Sequence, residues 1–230
     1  MSPASSAKQL ESFIKSITRA YKPDGAYEPM TPIDEFVYSF LLWNTTSTKA
    51  NVALRKVTSA FMNYNELRVT QSEDISDLLG VQYPELEERV QRLLAALGDV
   101  YNREHRVELD SLTDLTKRES RQYFDSITGI TPFVAARMTL LVAGGHAVPV
   151  DDRMLAGMVE GGLFPDGGTC AEASASLERT VRASEGPHVY RALQSWSDDG
   201  TPPLGEGASG GSNSRKNPEK KTSRKASRSS

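Results

Sequence analysis

"SITGITPFVAARMTLLVAGGHAVPVDDRML", residues 126–155, is the stretch on which the reading of this chain turns. Gly129 lies between two amphipathic segments, where the backbone must turn tightly and glycine tolerates a positive φ. Thr131 is placed to cap the following helix, and Pro132 suits its first position. The apolar run stops at Gly144-Gly145, and Asp151-Asp152 then heads another helix with Asp151 at the N-cap. A glycine turn opening onto a helix N-terminus points backbone N–H groups at an anion such as a phosphate. The same turn also serves as a plain helix–turn–helix connection, and on these residues alone both readings stand.

On either side the chain reads as helical. "AKQLESFIKSITRAY" puts Leu10, Phe13, Ile14 and Ile17 on one face. "TPIDEFVYSFLLW" has Thr31 as N-cap, Pro32 in the first turn and acids behind it. "STKANVALRKVTSAF" repeats the pattern through Val52, Leu54, Val57 and Phe61, and "SEDISDLLG" reads as a short capped helix. "YPELEERVQRLLAALGDVY" is expected to start at Pro84 and to bury Val90, Leu93, Leu94, Leu97 and Val100. "TKRESRQYFDSI" leads into the Gly129 turn, and "RMLAGMVEG", "CAEASASLERTVRA" and "GPHVYRALQSW" follow Asp151. With no alternating strand pair and no repeat of solenoid period, the expectation is an all-α fold.

The bulk numbers narrow the function classes. A chain of 230 residues, 38% hydrophobic and 25% charged, can build a substantial core. No apolar run reaches the ~18 residues of a membrane span, and the N-terminus lacks the layout of a signal peptide, so a cytoplasmic protein with no membrane partner is expected. Cys170 is the one cysteine. It excludes an intramolecular disulfide, a Cys-rich zinc site and an iron–sulfur cluster held by this chain, and reads as a small half-buried residue. The net charge of −3 hides an asymmetry: residues 206–230 carry +5, leaving −8 on the rest. From about Asp198 the composition is Gly, Ser, Pro and Lys, so residues 201–230 are expected to be a disordered basic tail.

The order and spacing of these parts resemble the helix-hairpin-helix DNA glycosylases, the endonuclease III superfamily. Gly129 matches the first hairpin glycine, Ala135 the small position inside the next helix, and Pro149-Val150-Asp151 the segment ending in the family's catalytic aspartate. Phe133 and Asp151 stand eighteen residues apart, the family's spacing between lysine nucleophile and aspartate. "FLLWNTTSTKANVALRKV" resembles the family segment in which a glutamine, here Asn44, wedges into the gap left by an extruded base. The helix of "GVQYPELEERVQRLLAAL" also has a counterpart, so the resemblance covers roughly residues 30–200.

The resemblance implies two helical lobes with a DNA-binding cleft between them: a six-helix lobe over 32–145, and a second from 1–31 plus 146–200. It assigns DNA contacts to Asn44, Thr128, Gly129, Ile130 and Thr131, a base pocket to Phe133 and Asp152, and catalysis to Asp151. The partner is double-stranded, damaged DNA, bound by a monomer that is nucleoid-associated when engaged. No cofactor is implied, although a monovalent cation at the hairpin is compatible.

Departures refine the expectation. Phe133 replaces the lysine, so no covalent imine and no β-elimination are expected there. What remains is hydrolysis, with Asp151 stabilising an oxocarbenium-like sugar. The 3-methyladenine-type relatives carry an aromatic and a doubled aspartate in the same places, so Phe133 reads either as a ring stacking on a flipped base or as core packing. Thr131 replaces the second hairpin glycine, the four-cysteine loop is gone, and the body is acidic. A degenerate family member that binds distorted DNA without excising a base is therefore the alternative. His105, His146 and His188 show no metal-ligand spacing; Trp43 and Trp196 read as core, and "GGLFPDGG" as a loop.

Overall fold

The structure, a computed structural model, describes residues 3–22 and 30–200. The expected disordered tail at 201–230 lies outside the described residues. Among the described residues there are eleven α-helices, one 3-10 helix and no strand. The all-α expectation holds.

In chain order the helices are α1 (Pro3–Ala20), α2 (Pro32–Leu42), α3 (Ser47–Ala60), α4 (Tyr64–Val69), α5 (Ser72–Leu79) and α6 (Leu86–Glu104). A 3-10 turn, Asp110–Asp114, precedes α7 (Lys117–Asp125) and α8 (Pro132–Leu141). Then come α9 (Asp152–Glu160), α10 (Cys170–Thr180) and α11 (Gly186–Asp198). The boundaries follow from local chemistry. Thr31 accepts from the Asp34 N–H, Thr131 from Val134 and Asp151 from Met154, each satisfying an amide that the helix leaves orphaned. Thr116 and Thr169 form capping boxes with Glu119 and Glu172.

Three local expectations differ. Helix α6 begins at Leu86 rather than Pro84, because Glu85 at its N-cap adopts a left-handed φ of 50°. On α3 the buried residues are Ala50, Ala53 and Val57, while Val52 is 42% exposed. The two alanines let α3 lie close against α2, so the larger side chains turn outward. Helix α5 has no side-chain cap at Gln71. The short α4 and the 3-10 turn carry no periodicity long enough to read.

Two helices are buried nearly all round, α2 (Phe36, Val37, Phe40, Leu41 among others) and α8 (Phe133, Val134, Met138, Leu140). They pack against each other, α2 also against α3 and α6, and α8 also against α7 and α11. Helix α1 closes the N-terminus onto α11 and α10, with Phe13 edge-on to Trp196 at 5.0 Å.

One buried ion pair joins the two central helices. Arg137 on α8 bonds Glu35 on α2, and donates to Ser39 Oγ at 2.8 Å and Tyr190 Oη on α11 at 2.8 Å. Burial alone would depress the guanidinium, but Tyr190, Glu35 and Tyr38 around it more than offset this and raise its pKa. A paired, fully hydrogen-bonded charge is the form in which a buried arginine is tolerated. The strut ties the first half of α2 to α8 and α11.

Candidate functional site

The turn after α7 is built on α6. A Cβ at Gly129 would stand 2.8 Å from the Arg92 carbonyl oxygen and 3.1 Å from Ala95 Cβ, and its φ is +79°. Glycine is thus required both by conformation and by close approach. Thr128 donates its N–H to Asp99 Oδ2 at 2.7 Å, and Arg103 bonds Asp99 as well as Ser126 Oγ and O, each at 2.7 Å. Burial works against the Asp99 carboxylate, yet the Arg103 and Thr128 hydrogen bonds hold it below the ordinary range. Of the turn's amides, Thr128 is therefore occupied, and Ile130 donates to the Ile127 carbonyl at 3.3 Å. The N–H groups of Gly129 and Thr131 donate to no described residue. Of these, the Gly129 amide is the half-buried one the hairpin can offer an anion, since Thr131 is itself only 3% exposed.

The C-terminus of α2 is closed by groups from α6 and from the segment before it. The wholly buried Arg89 donates to the Phe40 and Trp43 carbonyls and to Pro84 O at 3.1 Å. Tyr83 Oη donates to Leu41 O at 2.7 Å. A cation on the last carbonyls complements the negative end of the helix. This brings the chain to Asn44, whose φ of 51° is left-handed, a conformation asparagine adopts more readily than most residues.

Asn44 is 7% exposed and points inward. Its backbone N–H donates to Asp151 Oδ2 at 3.0 Å, and its Oδ1 accepts the Asp152 N–H at 3.0 Å. Its amide nitrogen lies 2.9 Å from Asp152 Oδ2 and 2.9 and 3.1 Å from the two Glu85 oxygens. The residue expected to reach outward thus clamps the head of α9 to the end of α2.

Asp151 is 1% exposed, with Oδ1 accepting from Met154 and Oδ2 from Asn44. Burial pushes its carboxyl up to about 6, opposed by the Met154 amide, Arg153 and the Asn44 amide, while Asp152 adds to the rise. Arg153 in turn donates to the carbonyls of Thr45 and Ser197, so the cation beside Asp151 also closes the end of α11. Asp152 is exposed and accepts from Cys170 Sγ at 3.3 Å. Burial, then Asp152, pushes that thiol up to about 12, which leaves Cys170 an un-ionised packing residue.

Phe133 is 2% exposed and belongs to the core. Of the two readings of this ring, packing is the one its position fits. A cavity of about 200 Å³ on the α10 side of α8 is lined by Pro132, Ala136, Thr139, Val150 and Cys170. Phe133 is not among its walls, and the buried Thr139 hydroxyl has no hydrogen-bond partner. His146 turns toward α10, its Nε2 2.7 Å from Glu178 O.

The structure thus brings Asn44, Asp151 and Asp152 into direct contact, while Thr128–Thr131 rest on α6, where the Arg92 guanidinium lies 3.4 Å from the Gly129 carbonyl and 5.8 Å from the ring of Trp43, the neighbour of Asn44. Sequence reasoning missed Glu85, Arg89 and Arg153, since each acts on residues more than forty positions away. It also missed Val81, an apolar side chain 81% exposed just before Tyr83 and Glu85. Its signal is Gly80, with φ +95°, ending α5 before an isolated valine. Among the described residues no group of three His, Cys, Asp or Glu could hold a metal ion.

By sequence, the chain matches no family model and no curated protein. By structure it is similar to a trapped covalent intermediate of endonuclease III with DNA, with a TM-score of 0.64 and 11% identity over 83% of this chain and 85% of that one. It is similar to a thermostable thymine-DNA glycosylase, with a TM-score of 0.60 and 14% identity over 83% and 86%. It also resembles the Clostridium acetobutylicum 8-oxoguanine glycosylase/lyase in complex with DNA, at 0.61 and 14% over 87% and 71%. The fold is the all-α endonuclease III fold.

Proposed function

We propose that this chain is a DNA-binding base-excision repair protein, a monofunctional DNA N-glycosylase that uses Asp151 to hydrolyse the glycosidic bond of a damaged base. The observation that carries the reading is a conjunction. A fold shared with DNA glycosylases holds a hairpin with an open amide at Gly129, and a carboxylate fixed at the head of α9. The two-lobe division at 32–145, and at 1–31 plus 146–200, fits the packing of α1 on α10 and α11.

In this mechanism the C–N bond breaks with its electron pair leaving on the base. Asp151 stabilises the cationic sugar, and a water oxygen forms the new bond at the sugar carbon while its proton passes to solvent. Phe133 supplies no amine, so no covalent enzyme–sugar adduct forms. Double-stranded DNA would be held at the Gly129 turn, with Val81, an exposed apolar side chain four residues before Glu85, free to enter a base step. Asp151 is covered by Asn44, so the turn after α2 must part from α9 to admit a nucleoside. Protein acting alone, without a cofactor, as a monomer in the cytoplasm, completes the proposal.

The test is a panel of lesion-bearing duplexes scored for alkali-labile abasic sites. Turnover that disappears in Asp151→Asn, together with no borohydride-trapped adduct, is expected. Activity surviving that substitution would overturn the mechanism. The burial of both Phe133 and Asp151 favours one second reading, a protein that binds distorted DNA without excision. It is distinguished by salt-sensitive binding with no product from any lesion.

A further inference from the structure

A groove of about 660 Å³ runs between α1 and the loop joining α10 to α11. Lys15, Arg19 and Lys22 line one wall, and Arg182 the other, with His188 at the first turn of α11. All five are exposed. Ile14 and Val189 form part of an apolar floor. Glu11 and Glu185 also line the groove, leaving an excess of positive charge on a body whose first 205 residues carry −8.

Two features of these cations bear on what the groove holds. Arg89, Arg103, Arg137 and Arg153 are all engaged by carbonyls, hydroxyls or carboxylates. In contrast, among the described residues Lys15, Arg19, Lys22 and Arg182 have no side-chain hydrogen bond or ion pair, not even to Glu11 or Glu185. Their spacing is the second feature. Lys15 and Arg19 are four residues apart on one face of α1, a like-charge arrangement that destabilises an isolated helix. They stand ~6 Å apart along the axis at 1.5 Å rise per residue, and Lys22 follows two residues beyond the end of α1. Cations spaced in this way suit several linked phosphates better than one.

We propose that this groove binds a polyphosphate chain, as free inorganic polyphosphate or as the backbone of single-stranded nucleic acid. It is separate from the hairpin and from Asp151. At the near end of α11, the Cβ position of Gly186 lies 3.0 Å from Leu140 Cδ1, at the end of α8 away from the hairpin. The far end of α11, ~20 Å along at 1.5 Å per residue, is where Asp198 accepts the Ser47 N–H close to the Asn44 turn.

The experiment measures fluorescence anisotropy of labelled oligo-dT with the full chain across a salt series, with tripolyphosphate as competitor. The comparison is Lys15→Glu/Arg19→Glu against wild type and against Lys117→Glu/Arg118→Glu, two exposed residues of α7, as a charge-matched control. The basic tail is the same in all three, so its contribution cancels. The double variant should bind oligo-dT at least fivefold more weakly, and its salt slope should fall by about 1.4 for two lost contacts to a single strand. Lys117→Glu/Arg118→Glu should stay within twofold of wild type. Protection of Lys15 and Lys22 by tripolyphosphate with no oligo-dT binding identifies the free polyphosphate as ligand; oligo-dT binding that tripolyphosphate displaces identifies the strand backbone. Should the double variant misfold, Lys15→Gln/Arg19→Gln and protection of Lys15 and Lys22 from acetylation by tripolyphosphate give the same readout. Equal affinity of the charge-reversed variant and the control, or no lysine protection, overturns the proposal. Asp151→Asn leaves this binding unchanged, so the groove stands or falls independently of glycosylase activity.

Discussion

The backbone amide of Asn44 and the carboxylate of Asp151, 107 positions apart in the chain, meet at 3.0 Å. Through that contact and the pair of hydrogen bonds between Asn44 and Asp152, the end of α2 and the head of α9 form one unit. Asn44 therefore holds Asp151 in the closed molecule, and the proposed chemistry begins when that contact opens.

Replacing Asn44 separates its two contributions. Asn44→Gly keeps the left-handed backbone but removes the side chain that joins Glu85 to Asp152, whereas Asn44→Ala loses both. Urea unfolding should show Asn44→Ala less stable than wild type by about 1–3 kcal/mol, with Asn44→Gly between them. Equal stability of the two variants would show that the backbone conformation contributes nothing.

Asp151 gives a pH signature. Its folded pKa, about 6, lies above the unfolded value of 3.8. The stability it contributes is thus complete below the unfolded value and lost as pH rises through about 6. Asp151→Asn carries no such titration. The stability of Asp151→Asn relative to wild type should therefore rise by about 2 kcal/mol between pH 4 and pH 7, whatever its constant offset. Denaturant melts at the two pH values check this. Under the proposed mechanism, glycosylase turnover should fall as pH drops below about 6, because only the ionised carboxylate stabilises the sugar cation.

The strut between Arg137 and Glu35 should be costly to break from one side. Glu35→Gln leaves a buried guanidinium without its counter-charge, and a loss of about 3–5 kcal/mol is expected. Arg137→Met with Glu35→Leu removes both charges and should recover much of that loss. A double variant as unstable as Glu35→Gln would show that packing, not charge, governs the site.

At the hairpin, Gly129→Val places a side chain against the Arg92 carbonyl in a backbone region that only glycine enters freely. The melting temperature should fall, by an amount corresponding to about 1–3 kcal/mol. Affinity for duplex DNA should fall with it, read by anisotropy below the melting temperature. Unchanged duplex affinity would remove the hairpin from the proposed interface.

The helices and their caps were legible because they are local. Thr31, Thr131 and Asp151 each satisfy an amide within three residues, and Gly129 marks the turn between two apolar faces. The order and spacing of those signals were enough for the all-α fold and for the resemblance to DNA glycosylases. What the side chains of the site do was decided by contacts across the chain. Asn44 turns inward because Glu85 and Asp152, 41 and 108 positions away, satisfy its amide. Phe133 is core because α8 is covered by α2, α7 and α11, a fact no periodicity within α8 contains. Nothing in the local sequence marks Arg89 or Arg137 for burial, yet the fold buries both. Only tertiary packing brings them the carbonyls and carboxylate that make a buried charge tolerable.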